Sequence, residues 1–229
     1  MRSLGERARD EEQMDDPSLD PSVYDEVLRG LGRVNRWTLA ARPTLSFLAR
    51  STRGLDGFSL LDVGSGEGGM LRLIARWARR RGIAARLTGV DLNPKSEKVA
   101  RAMTPPEMPI TYRTGDYREF GRFDFVVSSL VAHHMTDGQL LGFLRWMEAN
   151  AALGWFVNDL HRHRFAYSGY PLLAALLRVH PIVRQDGQLS IARAFRPADW
   201  RSALADAGVA QGVRVSRYFP FRLCVERLR

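Results

Sequence analysis

Cysteine and lysine are nearly missing from this chain. Cys224 is the lone cysteine, so an intrachain disulfide and a cysteine zinc cluster are both excluded. Lys95 and Lys98 are the only lysines among 34 basic residues, and arginine supplies the rest. No stretch approaches ~20 uncharged apolar residues, so no membrane span is expected. The first residues, "MRSLGERARDEEQMDD", have no apolar segment of the kind a secretory signal needs. A cytoplasmic location is the expectation from this and from the cysteine usage. Internal repeats and low-complexity tracts are absent too. The formal charge of +9 raises nucleic-acid binding as a possibility. Its arginines are scattered, however, apart from Arg76 and Arg79–Arg81, which read as the solvated end of a helix. No nucleic-acid partner is expected.

What is present is an alternation of strand and helix signals over 229 residues, enough for one domain with an extension. Residues 1–21 are charged in patches and read as a flexible arm. Val23, Val27, Leu28, Leu31 and Val34 follow helical spacing, and Pro43 divides this prefix (22–55) into two helices forming a cap. Strands are predicted at 58–63, 85–91, 110–114, 123–129 and 155–160. Asn93 before Pro94, and the Thr136–Gln139 spacing, mark helix starts. Two closing strands, 212–217 and 219–227, are joined too tightly for a parallel crossover, so one runs antiparallel. The fold class is α/β: a Rossmann-like, doubly wound, seven-stranded sheet with an antiparallel last strand and N-terminal helices, its main domain spanning residues 56–229.

The densest segment is "LLDVGSGEGG" (60–69). Its glycines fit two registers. Gly64-x-Gly66-x-x-Gly69 is the dinucleotide fingerprint of an NAD-dependent oxidoreductase. Asp62-x-Gly64-x-Gly66-x-Gly68 is an adenosylmethionine loop. Asp62 favours the second, because a carboxylate there would repel a pyrophosphate. Asp91, ending the second strand, suits the ribose hydroxyls of either cofactor. Asp116, after the third strand, stands where a carboxylate could accept from an adenine amine.

"LLDVGSGEGG", "GVDLNP", "TGDYREF" and "FDFVVSSLVAHHMTD" together resemble the successive motifs of class I S-adenosylmethionine-dependent methyltransferases. They are most similar to the small-molecule branch that contains quinone-biosynthesis and polyketide O-methyltransferases. The resemblance covers roughly residues 60–135. It implies S-adenosyl-L-methionine as cofactor, with Asp62, Gly64, Ser65, Gly66 and Gly68 around its methionine part. It also implies Asp91 and Leu92 at the ribose, Asp116 and Tyr117 near the adenine, and Ser129 to Val131 on the sulfur side. Arg36 is a candidate for the donor carboxylate.

Four of the five histidines follow two adjacent strands: His133 and His134 after the fourth, His161 and His163 after the fifth. An oxygen acceptor often needs its proton removed, and imidazole titrates in the right range. His134 or His161 is therefore the expected base, with Asp159 paired to His161 on one face of the fifth strand. His-x-His beside Asp159 and His134 also permits a metal. The carboxylate-rich ligand sets of metal-dependent catechol methyltransferases lack matching residues here, so none is expected. Trp37, His133, His163, Tyr167 and Leu172 are candidates for the acceptor pocket, with the 172–179 segment as an apolar lid. The expected partner is a small aromatic, phenolic or quinol molecule, and a homodimer is possible. An RNA methyltransferase and a donor-binding protein without turnover stay open as alternatives.

Overall fold

In the computed structural model, which describes residues 4–16 and 18–229, seven strands form one sheet in the order β3-β2-β1-β4-β5-β7-β6. The strands are β1 (Gly57–Val63), β2 (Ala84–Asp91), β3 (Ile110–Thr114), β4 (Phe123–Ser129), β5 (Ala151–Leu160), β6 (Val213–Tyr218) and β7 (Arg222–Leu228). All neighbours from β3 to β5 pair in parallel, while β7 runs antiparallel to both β5 and β6. β1 and β4 are buried through most of their length, as central parallel strands covered on both faces must be. β5 begins four residues earlier than its apolar run, because Ala151 already pairs with Phe123 ahead of a register shift.

Eight helices flank the sheet: α1 (Pro21–Trp37), α2 (Arg42–Ser51), α3 (Gly69–Arg80), α4 (Pro94–Met103), α5 (Asp137–Asn150), α6 (Arg164–Leu176), α7 (Pro181–Arg193) and α8 (Pro197–Asp206). One face carries a core in which Phe143, Trp155 and Trp200 are fully buried. The other face buries Phe47, Leu71, Ile74 and Phe125. Phe47 stacks on Phe156 with ring centroids 4.9 Å apart, so α2 belongs to the sheet's packing layer. Of the predicted helical cap, α1 alone lies over the sheet's carboxyl edge. The caps follow the sequence: Asn93 accepts from the Lys95 N–H, and Thr136 with Gln139 closes a capping box.

The predicted flexible arm differs most. Its residues 1–3 and 17 lie outside the described residues, but 4–16 are strapped to the body. Arg7 donates to the carbonyls of Arg193 and Met135 and to Asp137, and lies 3.8 Å above the Phe195 ring. Asp186 of α7 accepts from the Gln13 and Met14 N–H groups, and the Ala8 N–H donates to the Ala192 carbonyl. α7 buries polar residues (Asp186, Ser190, Arg193) because its partner is this arm, which is why apolar periodicity does not reveal it as a helix.

Candidate active site

The order of strands reverses beside β1, and ligands of such sheets bind at the carboxyl ends flanking that point. The β1–α3 turn is shaped by left-handed backbone: φ is +74° at Gly64, +51° at Gly66 and +76° at Gly68. Two of these glycines also have no room for a side chain. A Cβ at Gly64 would sit 2.2 Å from Cγ2 of Val131, and one at Gly68 would sit 2.3 Å from the Tyr112 hydroxyl. Gly69 is the first residue of α3, with an ordinary helical role.

The Gly66 N–H donates to Asp91 Oδ2 at 2.8 Å, and the Asn93 N–H donates to Oδ1 at 2.9 Å. Burial raises the Asp91 carboxyl above its ordinary range, against those hydrogen bonds. Asp62 is buried below Asp91 at the end of β1. Burial, and then the neighbouring Asp91 charge, push its carboxyl up to about 8. Asp62 Oδ1 and the Ser129 hydroxyl are buried polar atoms without a hydrogen-bond partner, both at this edge. Ser65 folds back on β2 through its N–H to the Val90 carbonyl. α1 covers the crevice: the Tyr24 hydroxyl lies 2.9 Å from that of Ser96, a buried residue that hydrogen-bonds Asp91.

Other expected donor residues have local partners or are exposed. Asp116 caps its own turn through the Arg118 N–H and pairs with the Arg118 guanidinium, so its carboxylate is already engaged. Tyr117 packs edge-on against Phe143 and Trp146, each 5.0 Å away. Leu92 is 75% exposed and Arg36 is exposed on the last turn of α1.

Beyond β4 the histidines divide differently from the expectation. His133 is the buried one. Its Nδ1 lies 2.7 Å from Asp159 Oδ1, and its N–H donates to Asp159 Oδ2. Asp159 therefore pairs with His133 across two strands, and its pairing with His161 is not formed. Burial works to raise the Asp159 carboxyl, but the His133 imidazole outweighs it and holds the group below its ordinary value. His134 is half-buried, its Nδ1 3.1 Å from Asp15 Oδ2. Its Nε2 is 3.9 Å from Glu12, and the His133 Nε2 is 3.8 Å from the same carboxylate. Burial raises the Glu12 carboxyl despite His134 and the Ser190 hydroxyl that donates to it. Glu12, Asp15, Tyr24 and Ser96 were not among the expected site residues. Glu12 and Asp15 sit in a charged run with no periodicity, so no local signal marks them.

His161 stands apart. Burial, then Arg217, His163 and Arg196, push its imidazole down to about 4. His163 caps α6 through Nδ1 and stacks on Phe221 at 5.0 Å. Tyr167 lies on α6, where its carbonyl accepts from Gln188. Trp37 and Leu172 are 68% and 77% exposed. Leu172 sits with Phe165 and Leu176 on the outer face of α6, which is turned to solvent.

The crevice suits an adenosyl amino acid better than a dinucleotide. The acidic groups of Asp62 and Asp91 at the β1 and β2 ends, with the orphaned Ser129 hydroxyl at the end of β4, would meet cationic and hydroxyl groups well, and a pyrophosphate badly. Residues 61–145 match the family model described as a methyltransferase domain. A 2-methyl-6-phytyl-1,4-hydroquinone methyltransferase from Synechocystis sp. is 33% identical over 92 residues, which span 37% of this chain and 27% of that protein's length. Magnesium protoporphyrin IX methyltransferase (ChlM) from Synechocystis PCC 6803, with bound SAH, superposes with a TM-score of 0.56 at 17% identity. That match covers 95% of this chain and 91% of the other. The plantazolicin methyltransferase BpumL in complex with SAH gives 0.66 at 13% identity, over 94% and 92%. The sheet order and the glycine turn agree with the match of residues 61–145 to a methyltransferase domain, and the fold is that of these solved methyltransferases.

Proposed function

We propose that this protein transfers a methyl group from S-adenosyl-L-methionine to an oxygen of a small aromatic, phenolic or quinol acceptor. The observation that carries the reading is the glycine turn with its two orphaned polar atoms, Asp62 Oδ1 and the Ser129 hydroxyl, beside Asp91. When bound, the donor supplies a methyl already activated on a sulfonium. The chain's own residues then have to hold the donor, align the acceptor and exclude water. Gly64 and Gly68 keep the turn close to Val131 and Tyr112, and Asp91 presents its carboxylate toward ribose hydroxyls. α1 and the strapped arm shield the edge. The resemblance to a hydroquinone methyltransferase supports the acceptor class.

An acceptor hydroxyl would lose its proton to the histidine–carboxylate cluster formed by Glu12, His133, His134 and Asp159. His134 is its half-exposed member, and Asp159 acts as a positioning residue through His133. His161 is a poor base near neutrality, since an imidazole held at about 4 binds a proton too weakly. The test is incubation with the methyl donor and a panel of hydroquinones, phenols and porphyrin carboxylates, read by mass spectrometry. A donor-dependent gain of one methyl on an oxygen supports the proposal. Donor binding without any methylated product in that panel or in host extract counts against it and favours a donor-binding protein without turnover.

A further inference from the structure

The expectation from ligand types alone was a site without metal. The geometry points elsewhere: we propose that Glu12, His133 and His134 form a zinc site, built where the N-terminal arm meets the ends of β4 and β5.

One ligand atom from each of the three residues falls in a group lying within 4.8 Å of one another. A tetrahedral zinc at about 2.0–2.2 Å from each ligand needs ligand atoms about 3.3 Å apart. The His133 Nε2 lies 3.8 Å from Glu12 Oε1 and the His134 Nε2 3.9 Å from Oε2, so the carboxylate lies between the two rings and a modest contraction would bring all three residues onto one ion. Both rings are already oriented for the task. Each Nδ1 faces a carboxylate, Asp159 for His133 and Asp15 for His134. A carboxylate accepts, so Nδ1 carries the hydrogen, and in the neutral imidazole the lone pair is then on Nε2, the atom on the Glu12 side. Aspartates behind ligating histidines are the usual outer shell of zinc centres.

Glu12 and Asp159 are buried carboxylates at this cluster, and Asp15 is an exposed one. Arg7 and Arg222 act on Asp159, and Arg193 faces Glu12 with Nη1 3.8 Å away. The other bonds of Arg193 go to the carbonyls of His133, His134 and Asp10, so it buttresses the loop as well as facing the carboxylate. A divalent cation would lower the cost of burying Glu12. Nitrogen and carboxylate donors without thiolate suit zinc. Three protein ligands leave a fourth position open. Granted the reading under "Proposed function", an acceptor oxygen bound there would be made more acidic by the ion, and the cluster would act through the metal.

The experiment is titration of the untagged, chelator-treated full chain with Co²⁺ alone, read by visible absorption, and with Zn²⁺ in competition. One equivalent should bind with the intense bands of a tetrahedral site and be displaced by Zn²⁺. Glu12→Gln and His134→Asn should each weaken binding at least 100-fold, and Asp15→Asn about 10-fold. His134 is half-buried at the surface, so its variant folds even if the Glu12 variant does not, as a thermal melt will show. Absence of a saturable cobalt spectrum in the wild-type chain overturns the site. So does undiminished binding by His134→Asn. Neither readout requires methyl transfer, so failure of the acceptor reading leaves the metal result standing, and the reverse.

Discussion

The proposed donor edge and the proposed acceptor edge of this sheet are built by different means. Around β1 and β2 the site is made largely of backbone: positive-φ glycines and a Gly66 N–H clamped by Asp91 of the neighbouring strand. Around β4 and β5 it is made of side chains drawn from the two ends of the chain. Glu12 bonds Ser190, His133 bonds Asp159, and His134 meets Asp15. A site made by a turn can be written in ten consecutive residues. A site made by tertiary packing cannot.

The largest expected effect breaks the donor edge. Gly64→Val places a β-branched side chain at a positive φ, where even a Cβ collides with Val131. Adenosylhomocysteine binding, read by calorimetry, should fall by at least about 100-fold, or about 2.7 kcal/mol. Retained affinity would show that the turn is more pliable than its contacts imply. At the acceptor edge, Asp159→Ala removes a buried partner from His133 and from the Leu160 N–H, and should cost about 3 kcal/mol in urea denaturation. A loss below about 1 kcal/mol would mean that the cross-strand pair is not holding the edge together.

Two pH experiments sharpen the contrast. Asp62 binds a proton in the folded chain up to about 8, whereas the unfolded chain releases it near 3.8. Folding stability should therefore decline as pH rises across that window. Asp62→Asn should remove that decline, so its advantage over wild type grows toward pH 8. His161 has the opposite sign. Its folded value of about 4 lies below the ordinary 6.5, so its contribution is present above 6.5 and is lost as pH falls toward 4. His161→Phe should flatten the acid limb of a stability–pH curve. An unchanged limb would locate acid sensitivity in other groups. The smallest effect belongs to the outer face of α6. Leu172→Ser should change stability by less than about 0.5 kcal/mol, because Leu172 is 77% exposed. A larger loss, or a raised KM for acceptor, would restore that helix as a lid.

The same contrast explains what could be read from the sequence. The parallel body and one reversed closing strand follow from strand–helix alternation and a short final connection, whereas the strand order is not written in that alternation. The glycine turn follows from its spacing, and Asp62 marks the register. Asp116 and Tyr117 sit at family positions, yet local partners claim both: Arg118 takes the carboxylate, and Phe143 with Trp146 takes the ring. The histidines were visible as a group at two strand ends. Their division was not, because it depends on Asp159 reaching across from β5 to β4 and on an arm with no hydrophobic period. α7 escaped for the matching reason, since it turns polar residues toward that arm.

We propose above all that the β1 turn and its carboxylates hold an adenosyl amino acid. The claim is tested most directly by titrating adenosylhomocysteine and NADH separately into the protein and measuring heat. One molecule of adenosylhomocysteine should bind per chain at about 10 µM or tighter, with no heat from NADH. Binding of NADH, with none of adenosylhomocysteine, would contradict the claim.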